Sequence, residues 1–268
     1  MSLDATFGRG VALVGCVHLL PLPGSAGYTG DLGRVVERAV AEARLLESSG
    51  FGAVLVENTH DAPYLLGHVY PETTAALAVC ARAVRDAVNV PVGVQALAAA
   101  NREALGVAVA ARCRFVRVEN FAYAHVADEG LMARASAPEL VRVRAALEAE
   151  HIHILADVKK KHSSHAITAD LSIEDAVHGA AFCRADGVVV TGVATGRETD
   201  TEDVRRAASA GLPVFVGSGV TPMNVGRYKR LARGLIVGSS LKRNGDWREE
   251  LDAPRVKALV EAFRAVTT

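Results

Sequence analysis

The sequence predicts an α/β protein folded as a (β/α)8 TIM barrel, and three observations lead there. Short apolar runs of strand length alternate with longer Ala-rich amphipathic stretches, and eight such units fit along the chain. The apolar runs are Val-rich, as expected of parallel strands covered by helices. The length, 268 residues, is the size of a closed barrel. An open doubly wound sheet would carry a G-x-G-x-x-G turn after its first strand. Here the first strand runs instead into Cys16-Val17-His18-Leu19-Leu20-Pro21-Leu22-Pro23-Gly24.

In chain order, strands are predicted at 11–17, 53–56, 90–94, 115–118, 152–158, 187–191, 213–216 and 235–237. Helices are predicted between and after them at 32–49, 71–88, 101–111, 137–148, 172–183, 201–210, 222–231 and 254–265. Ser172 with Asp175 three residues later reads as a helix start, as do Thr201 before an acidic first turn and Thr221 before Pro222. Gly50 and Gly211 read as left-handed caps that end the first and sixth helices. No linker or shift in composition divides the chain, so residues 1–268 are expected to form a single TIM-barrel domain.

The composition excludes other classes. Thirty basic and 30 acidic side chains give a formal net charge of +0, and the one basic block is Lys159-Lys160-Lys161, so neither nucleic acid nor an anionic membrane is an expected partner. Apolar runs end well short of a membrane span, and the first residues do not read as a signal peptide. Cys16, Cys80, Cys113 and Cys183 lie far apart without a C-x-x-C pair, which argues against a disulfide framework and a structural zinc site. They read as reduced core residues of a cytoplasmic protein. Barrels of this size often associate, so a homo-oligomer is anticipated without an identified contact face.

Barrel chemistry gathers at the C-terminal ends of the strands. The predicted strands deliver His18, then Glu57 and Asn58, Gln95, then Arg117 with Glu119, then Asp157, Lys159, Lys161 and His162, and finally Thr191-Gly192 to that rim. The seventh and eighth strands end in Gly217-Ser218-Gly219-Val220 and Gly238-Ser239-Ser240-Leu241. Glycine-rich turns let backbone N–H groups approach an anion, and a helix starting just beyond would add its positive end, so these six Gly and Ser residues are the expected phosphate site. Asp157, Lys159 and Lys161 share parity and are expected to point the same way, with Asp157 drawing a lysine inward. A desolvated lysine near other cations becomes a usable base or amine nucleophile. Glu57 and Glu119, each in Val-Glu-Asn, can serve as base and acid or as partners of Arg117 and the lysines. His18, Asn58, Gln95, Arg117, His162, Thr191 and Gly192 are expected to position substrate. His18, Glu57, His60, Asp61 and Asp157 could converge on a metal, yet no resident metal or other cofactor is expected, with a divalent ion bridging a phosphate left open.

Several segments together resemble the BtpA family: the opening Val14-Gly15-Cys16-Val17-His18-Leu19-Leu20-Pro21-Leu22-Pro23-Gly24, Val56-Glu57-Asn58, Phe115-Val116-Arg117-Val118, Asp128-Glu129-Gly130, Lys161-His162, Val190-Thr191-Gly192 with Thr195-Gly196, and the two Gly-Ser turns. The resemblance implies a TIM barrel of the ribulose-phosphate-binding type. It also implies membership of a group named for a factor needed for photosystem I accumulation, with relatives placed in sugar pathways. Two departures stand out. Gln95-Ala96-Leu97-Ala98-Ala99-Ala100-Asn101 replaces a segment that in relatives resembles Asn-x-Leu-Arg-Asn-Asp, removing an arginine and an acid, and Lys159-Lys160 extend the shorter Lys-His form.

These readings point to an enzyme acting on a small phosphorylated metabolite, derived from a sugar or nucleotide, through lyase, aldolase-like or isomerase chemistry. The competing class is a non-catalytic biogenesis or assembly factor that keeps the barrel as a scaffold for a ligand or protein.

Overall fold

The structure is a computed structural model that describes residues 2–192 and 198–266. Thr195 and Gly196, singled out in the sequence, lie outside the described residues.

Eight parallel strands close into a barrel: β1 (Ala12–His18), β2 (Ala53–Glu57), β3 (Val92–Gln95), β4 (Phe115–Val118), β5 (His153–Val158), β6 (Gly187–Val190), β7 (Val214–Val216) and β8 (Gly234–Val237). Each strand pairs with its sequence neighbours, and β8 returns to β1 through Ala12↔Gly234 to Gly15↔Val237. The (β/α)8 reading is thereby shown.

Alternation along each strand divides the apolar residues between two cores. Odd-numbered β1 residues Leu13 and Val17, with Val54, Val56, Val116 and Ile154, face the surrounding helices. Val14, Cys16, Leu55, Phe115, Leu155, Val189, Phe215 and Ile236 fill the barrel interior. The interior narrows around two phenylalanines whose rings require bare backbone opposite. A Cβ on Gly93 would fall 2.3 Å from Phe115, and one on Gly234 would fall 2.4 Å from Phe215. A short helix at Leu3–Phe7 brings Phe7 against both rings, at centroid distances of 5.0 and 5.3 Å. The interior core is thus apolar, and the same parity, continued upward, places the polar strand-end residues inside the mouth.

Most helix signals hold. Ser172 caps Ile173–Phe182 through a full capping box with Asp175, and Gly50 ends Leu32–Ser49 at φ 110°. Asp200, rather than Thr201, caps Thr201–Ser209 by accepting from Glu202 N. The helix expected from Pro222 begins only at Val225 and ends at Lys229. Asn224 is the reason: its Oδ1 accepts from Thr221 N at 2.8 Å and its Nδ2 donates to Gly219 O at 2.8 Å, closing the preceding residues into a turn.

Three short strands, His125–Ala127, Gly130–Met132 and Ser163–Ser164, form an antiparallel sheet beside the mouth. They stand in the loops after β4 and β5, and strands of two or three residues are too short to show periodicity in sequence. Among the described residues, no helix is long and apolar enough to cross a membrane.

Candidate functional site

Inward parity on β1 carries Cys16 and His18, and the pairing His18↔Glu57↔Gln95 sets three polar side chains side by side on β1, β2 and β3. Arg117 and Glu119 follow on the inward face of β4 and just beyond it. These residues, with Lys161, His162, Gly217, Ser218, Gly219, Gly238, Ser239 and Ser240, line one cavity of about 510 Å³ at the C-terminal end of the barrel. That is room for a small metabolite.

At the floor of this cavity lies a buried ion-pair network. Arg117 donates from Nε to Asp157 Oδ1 at 2.8 Å and from Nη2 to Asp157 Oδ2 at 3.0 Å, with Nη1 3.4 Å from Glu57 Oε1. Burial acts against the Arg117 charge, but Asp157 and Glu57 more than offset it and hold the guanidinium protonated above its ordinary range. Burial raises the Glu57 carboxyl despite Arg117, and it raises Glu119 despite Lys160. Asp157 is therefore the partner of Arg117 and sits behind it, outside the cavity lining; it does not draw in a lysine.

The shared parity expected of Asp157, Lys159 and Lys161 fails because the extended strand stops at Val158 and Lys159 adopts φ 47°. Lys159 is exposed, donates to Leu171 O at 2.7 Å and lines a separate cavity of about 30 Å³, so it does not reach the mouth. Lys160, passed over in the sequence reading, turns inward with 7% exposure and pairs with Glu119 Oε1 at 3.3 Å and Glu129 Oε2 at 3.9 Å.

Lys161 does face the cavity. Its backbone N–H is held by Thr191 Oγ1 at 2.9 Å, while among the described residues its ammonium makes no hydrogen bond or ion pair. Burial, then Arg117, lowers its pKa below the ordinary lysine range. His162 is exposed at the rim, 3.8 Å from Asp128.

His18 is fixed from behind: Nδ1 donates to the Trp247 carbonyl at 3.1 Å. Burial, then the Lys242 charge, lowers its pKa to about 3, so the imidazole is neutral and Nε2 presents a lone pair 3.6 Å from Glu57 Oε2. Gly238 makes this possible, because a Cβ there would fall 2.9 Å from His18 Nε2. Three of the residues expected to touch substrate act on loops instead. Asn58 is fully buried, accepts from Leu97 N at 2.7 Å and donates to Asp61 Oδ2 at 2.9 Å, which pins the segment after β3. Gly192 donates from its N–H to Ser218 Oγ at 2.6 Å. Asn58, Thr191 and Gly192 thus support the lining without belonging to it.

The two Gly-Ser turns meet on one wall. Gly217 is not an anion donor: its N–H goes to Val190 O at 2.8 Å, and its missing Cβ leaves space for Val189, Thr191 and Arg117. The N–H groups of Gly219, Val220, Ser239 and Ser240 make no backbone hydrogen bond among the described residues. Ser240 Oγ donates to Val220 O at 2.6 Å and ties one turn to the other. A 3-10 turn, Ser239–Leu241, directly follows β8 and the long helix starts only at Ala253, so the turn amides themselves and the nearby Arg255 supply the positive potential. Cys16, Tyr64, Trp247 and Arg255 were not foreseen as part of the lining. Of these, Cys16 was legible from its parity with His18.

Comparison with known proteins bears on the family and the fold. The chain is 39% identical over 253 residues to an uncharacterised mitochondrial protein of Caenorhabditis elegans, covering 92% of this chain and 91% of the relative. It is 38% identical over 267 residues to the photosystem I biogenesis protein BtpA of Synechocystis, covering 98% and 91%. Among solved structures, phosphoribosyl anthranilate isomerase from Thermus thermophilus superposes with a TM-score of 0.60 at 15% identity, covering 96% of this chain and all of the isomerase (100%). A 3-hexulose-6-phosphate synthase gives a TM-score of 0.59 at 14% identity, covering 94% and 99%. These two share the fold. A sequence profile of the BtpA family matches residues 9–265, and the chain belongs to the BtpA family.

Proposed function

We propose that this protein is an enzyme that binds a small phosphorylated metabolite, derived from a sugar or nucleotide, and carries out proton-transfer or carbonyl-addition chemistry of the lyase, aldolase or isomerase kind. The observation that carries the reading is Lys161: a lysine with lowered pKa, without an ion-pair partner among the described residues, facing a cavity whose wall carries turn amides without backbone partners. Gly219, Val220, Ser239 and Ser240 would hold the phosphate through main-chain N–H groups, helped by Arg255. With its phosphate anchored there, a small substrate would extend its carbon skeleton toward Lys161.

Neutral Lys161 would then either remove a proton from a carbon next to a carbonyl or add to that carbonyl, forming a C–N bond and releasing water as the imine. Arg117, locked by Asp157, keeps positive charge beside Lys161 and so favours its neutral form. Lys160 and Glu119 form a second fixed pair in the same lining. The names of the two solved neighbours refer to a phosphoribosyl compound and a hexulose phosphate, which is consistent with this substrate class. A pure scaffold, one reading of the Synechocystis relative's name, gains nothing from Glu57, Glu119 and Lys161 in the mouth, where each uncompensated charge costs on the order of several kcal/mol.

The test is thermal stabilisation of the purified protein by a panel of phosphorylated metabolites, since a ligand bound only by the native state raises apparent stability by mass action. At least one sugar or nucleotide phosphate should raise Tm, and Ser239→Asp, which sets a carboxylate beside the amides, should abolish the shift. Borohydride with a stabilising carbonyl compound should label Lys161 and spare Lys161→Ala. A panel without any response, or an equal response in Ser239→Asp, would sink the reading.

A further inference from the structure

Cys16, His18 and Glu57 converge in a way that the proposed lysine chemistry does not use. Their ligand atoms, Sγ, an imidazole nitrogen and a carboxylate oxygen, all lie within 4.8 Å of one another. All three side chains are buried, at 3%, 5% and 6% exposure, and all three line the cavity. The strand geometry imposes this: Cys16 and His18 are two residues apart on the inward face of β1, and His18 is in register with Glu57 on β2. We propose that Cys16 Sγ, His18 Nε2 and Glu57 Oε2 form a binding site for a divalent transition-metal ion of the zinc class.

The geometry presents the imidazole and a carboxylate oxygen to a metal, while burial and then Glu57 push the Cys16 thiol above its ordinary range, so Cys16 would release its proton on binding the ion. His18 Nδ1 donates to the Trp247 carbonyl at 3.1 Å, which leaves the lone pair on Nε2. A backbone carbonyl behind the second ring nitrogen is the usual support of a metal-bound histidine. Glu57 divides its oxygens: Oε1 is 3.4 Å from Arg117 Nη1, while Oε2 lies 3.6 Å from His18 Nε2 and accepts no hydrogen bond among the described residues. Cys16 Sγ has no hydrogen-bond partner among the described residues, and sulfur with imidazole selects zinc-class ions over magnesium or calcium. Bond lengths of about 2.0–2.3 Å put tetrahedral ligands about 3.3–3.8 Å apart, so the present spacing closes with side-chain shifts of about an ångström.

Charge in the mouth agrees. Glu57, Glu119, Glu129 and Asp157 stand against Arg117 and Lys160, joined by Lys161 when it is protonated, so at least one negative charge is in excess, while Asp128 and Arg255 at the rim offset each other. A Cys16 thiolate would add a second negative charge, which a divalent ion balances. Three protein ligands leave a fourth position on the cavity side for water or a substrate oxygen, the arrangement of catalytic rather than structural zinc sites. The sequence set His18, Glu57, His60, Asp61 and Asp157 does not assemble. His60 is held by the Leu19 and Arg248 carbonyls, Asp61 by Leu22 N and Asn58, and Asp157 by Arg117.

The proposal is independent of phosphate binding, and its test reads the metal alone. The full-length protein, stripped with a chelator, is titrated with Co²⁺ and followed by absorbance. One equivalent per chain should bind and give a near-ultraviolet sulfur-to-cobalt charge-transfer band. Cys16→Ser should lose the band, Cys183→Ser should keep it, and Glu57→Gln should weaken Co²⁺ binding at least about 10-fold. Should Cys16→Ser fail to fold by circular dichroism, Glu57→Gln and His18→Ala carry the test. Wild-type protein without a stoichiometric band, a band retained in a folded Cys16→Ser, or unchanged affinity in Glu57→Gln would overturn the proposal.

Discussion

Replacing Arg117 by methionine tests whether the polar mouth is held by its ion-pair network. The guanidinium is 5% exposed and the Asp157 carboxylate 1%, so water cannot take over the two hydrogen bonds of 2.8 and 3.0 Å. Methionine keeps the length and removes the charge, leaving Asp157 without its partner and Glu57 without its nearest cation. Breaking a buried pair by removing one member costs about 3–5 kcal/mol. At about 2–4 °C per kcal/mol for a chain of this size, Tm should fall by about 6–20 °C. The stranded carboxylates would respond by binding protons in the folded state at a pH where the unfolded chain does not. Folded-state pKa values are then raised, so the deficit is fully present at pH 8 and shrinks as pH falls toward the ordinary carboxylate range of about 4. Urea unfolding followed by circular dichroism at pH 8 and pH 5.5 measures both effects, and Arg117→Met/Asp157→Leu should recover most of the loss. A deficit below about 1 kcal/mol at pH 8, or one that does not change with pH, would show that the network does not carry the burial of these charges.

Four further substitutions separate the roles assigned above. Lys161→Met should remove turnover and raise stability by about 0.5–2 kcal/mol, because a half-buried ammonium without an ion-pair partner among the described residues is relieved. Burial lowers the folded pKa of Lys161, so the unfolded chain binds the extra proton, and the gain should be greatest near neutral pH and fade toward pH 10; a constant gain in thermal scans across that range would contradict it. Lys159→Ala should leave stability within about 0.5 kcal/mol and ligand-induced shifts intact, whereas Lys160→Met strands Glu119 and should cost several times more; equal effects in urea melts would restore the equivalence of the two lysines. Ser172→Ala should cost about 1 kcal/mol without touching ligand response, since it removes a capping box that does not line the mouth, and chemical denaturation measures that directly.

The sequence by itself determined the barrel, because eight alternations of Val-rich runs and amphipathic stretches leave few other ways to bury both faces of a parallel sheet. It also determined which strand ends carry polar groups: side chains alternate with period two, so once Cys16 points inward His18 must follow, and the same holds for Arg117 and Glu119. That reasoning works only while the chain stays extended. Beyond Val158 the backbone turns through the positive φ of Lys159, and the lysine that meets Glu119 is Lys160. Likewise, Gly217 reads as an anion turn by composition, yet its amide completes the barrel ladder with Val190. Asn58 looks like a partner for substrate, and only the fold shows it holding the segment after β3. Tertiary structure alone decided which charge pairs with which, and placed Trp247, which is 229 residues from His18, behind its imidazole. Pairings across a mouth built by eight separate loops depend on where those loops fold back, and no local periodicity records that.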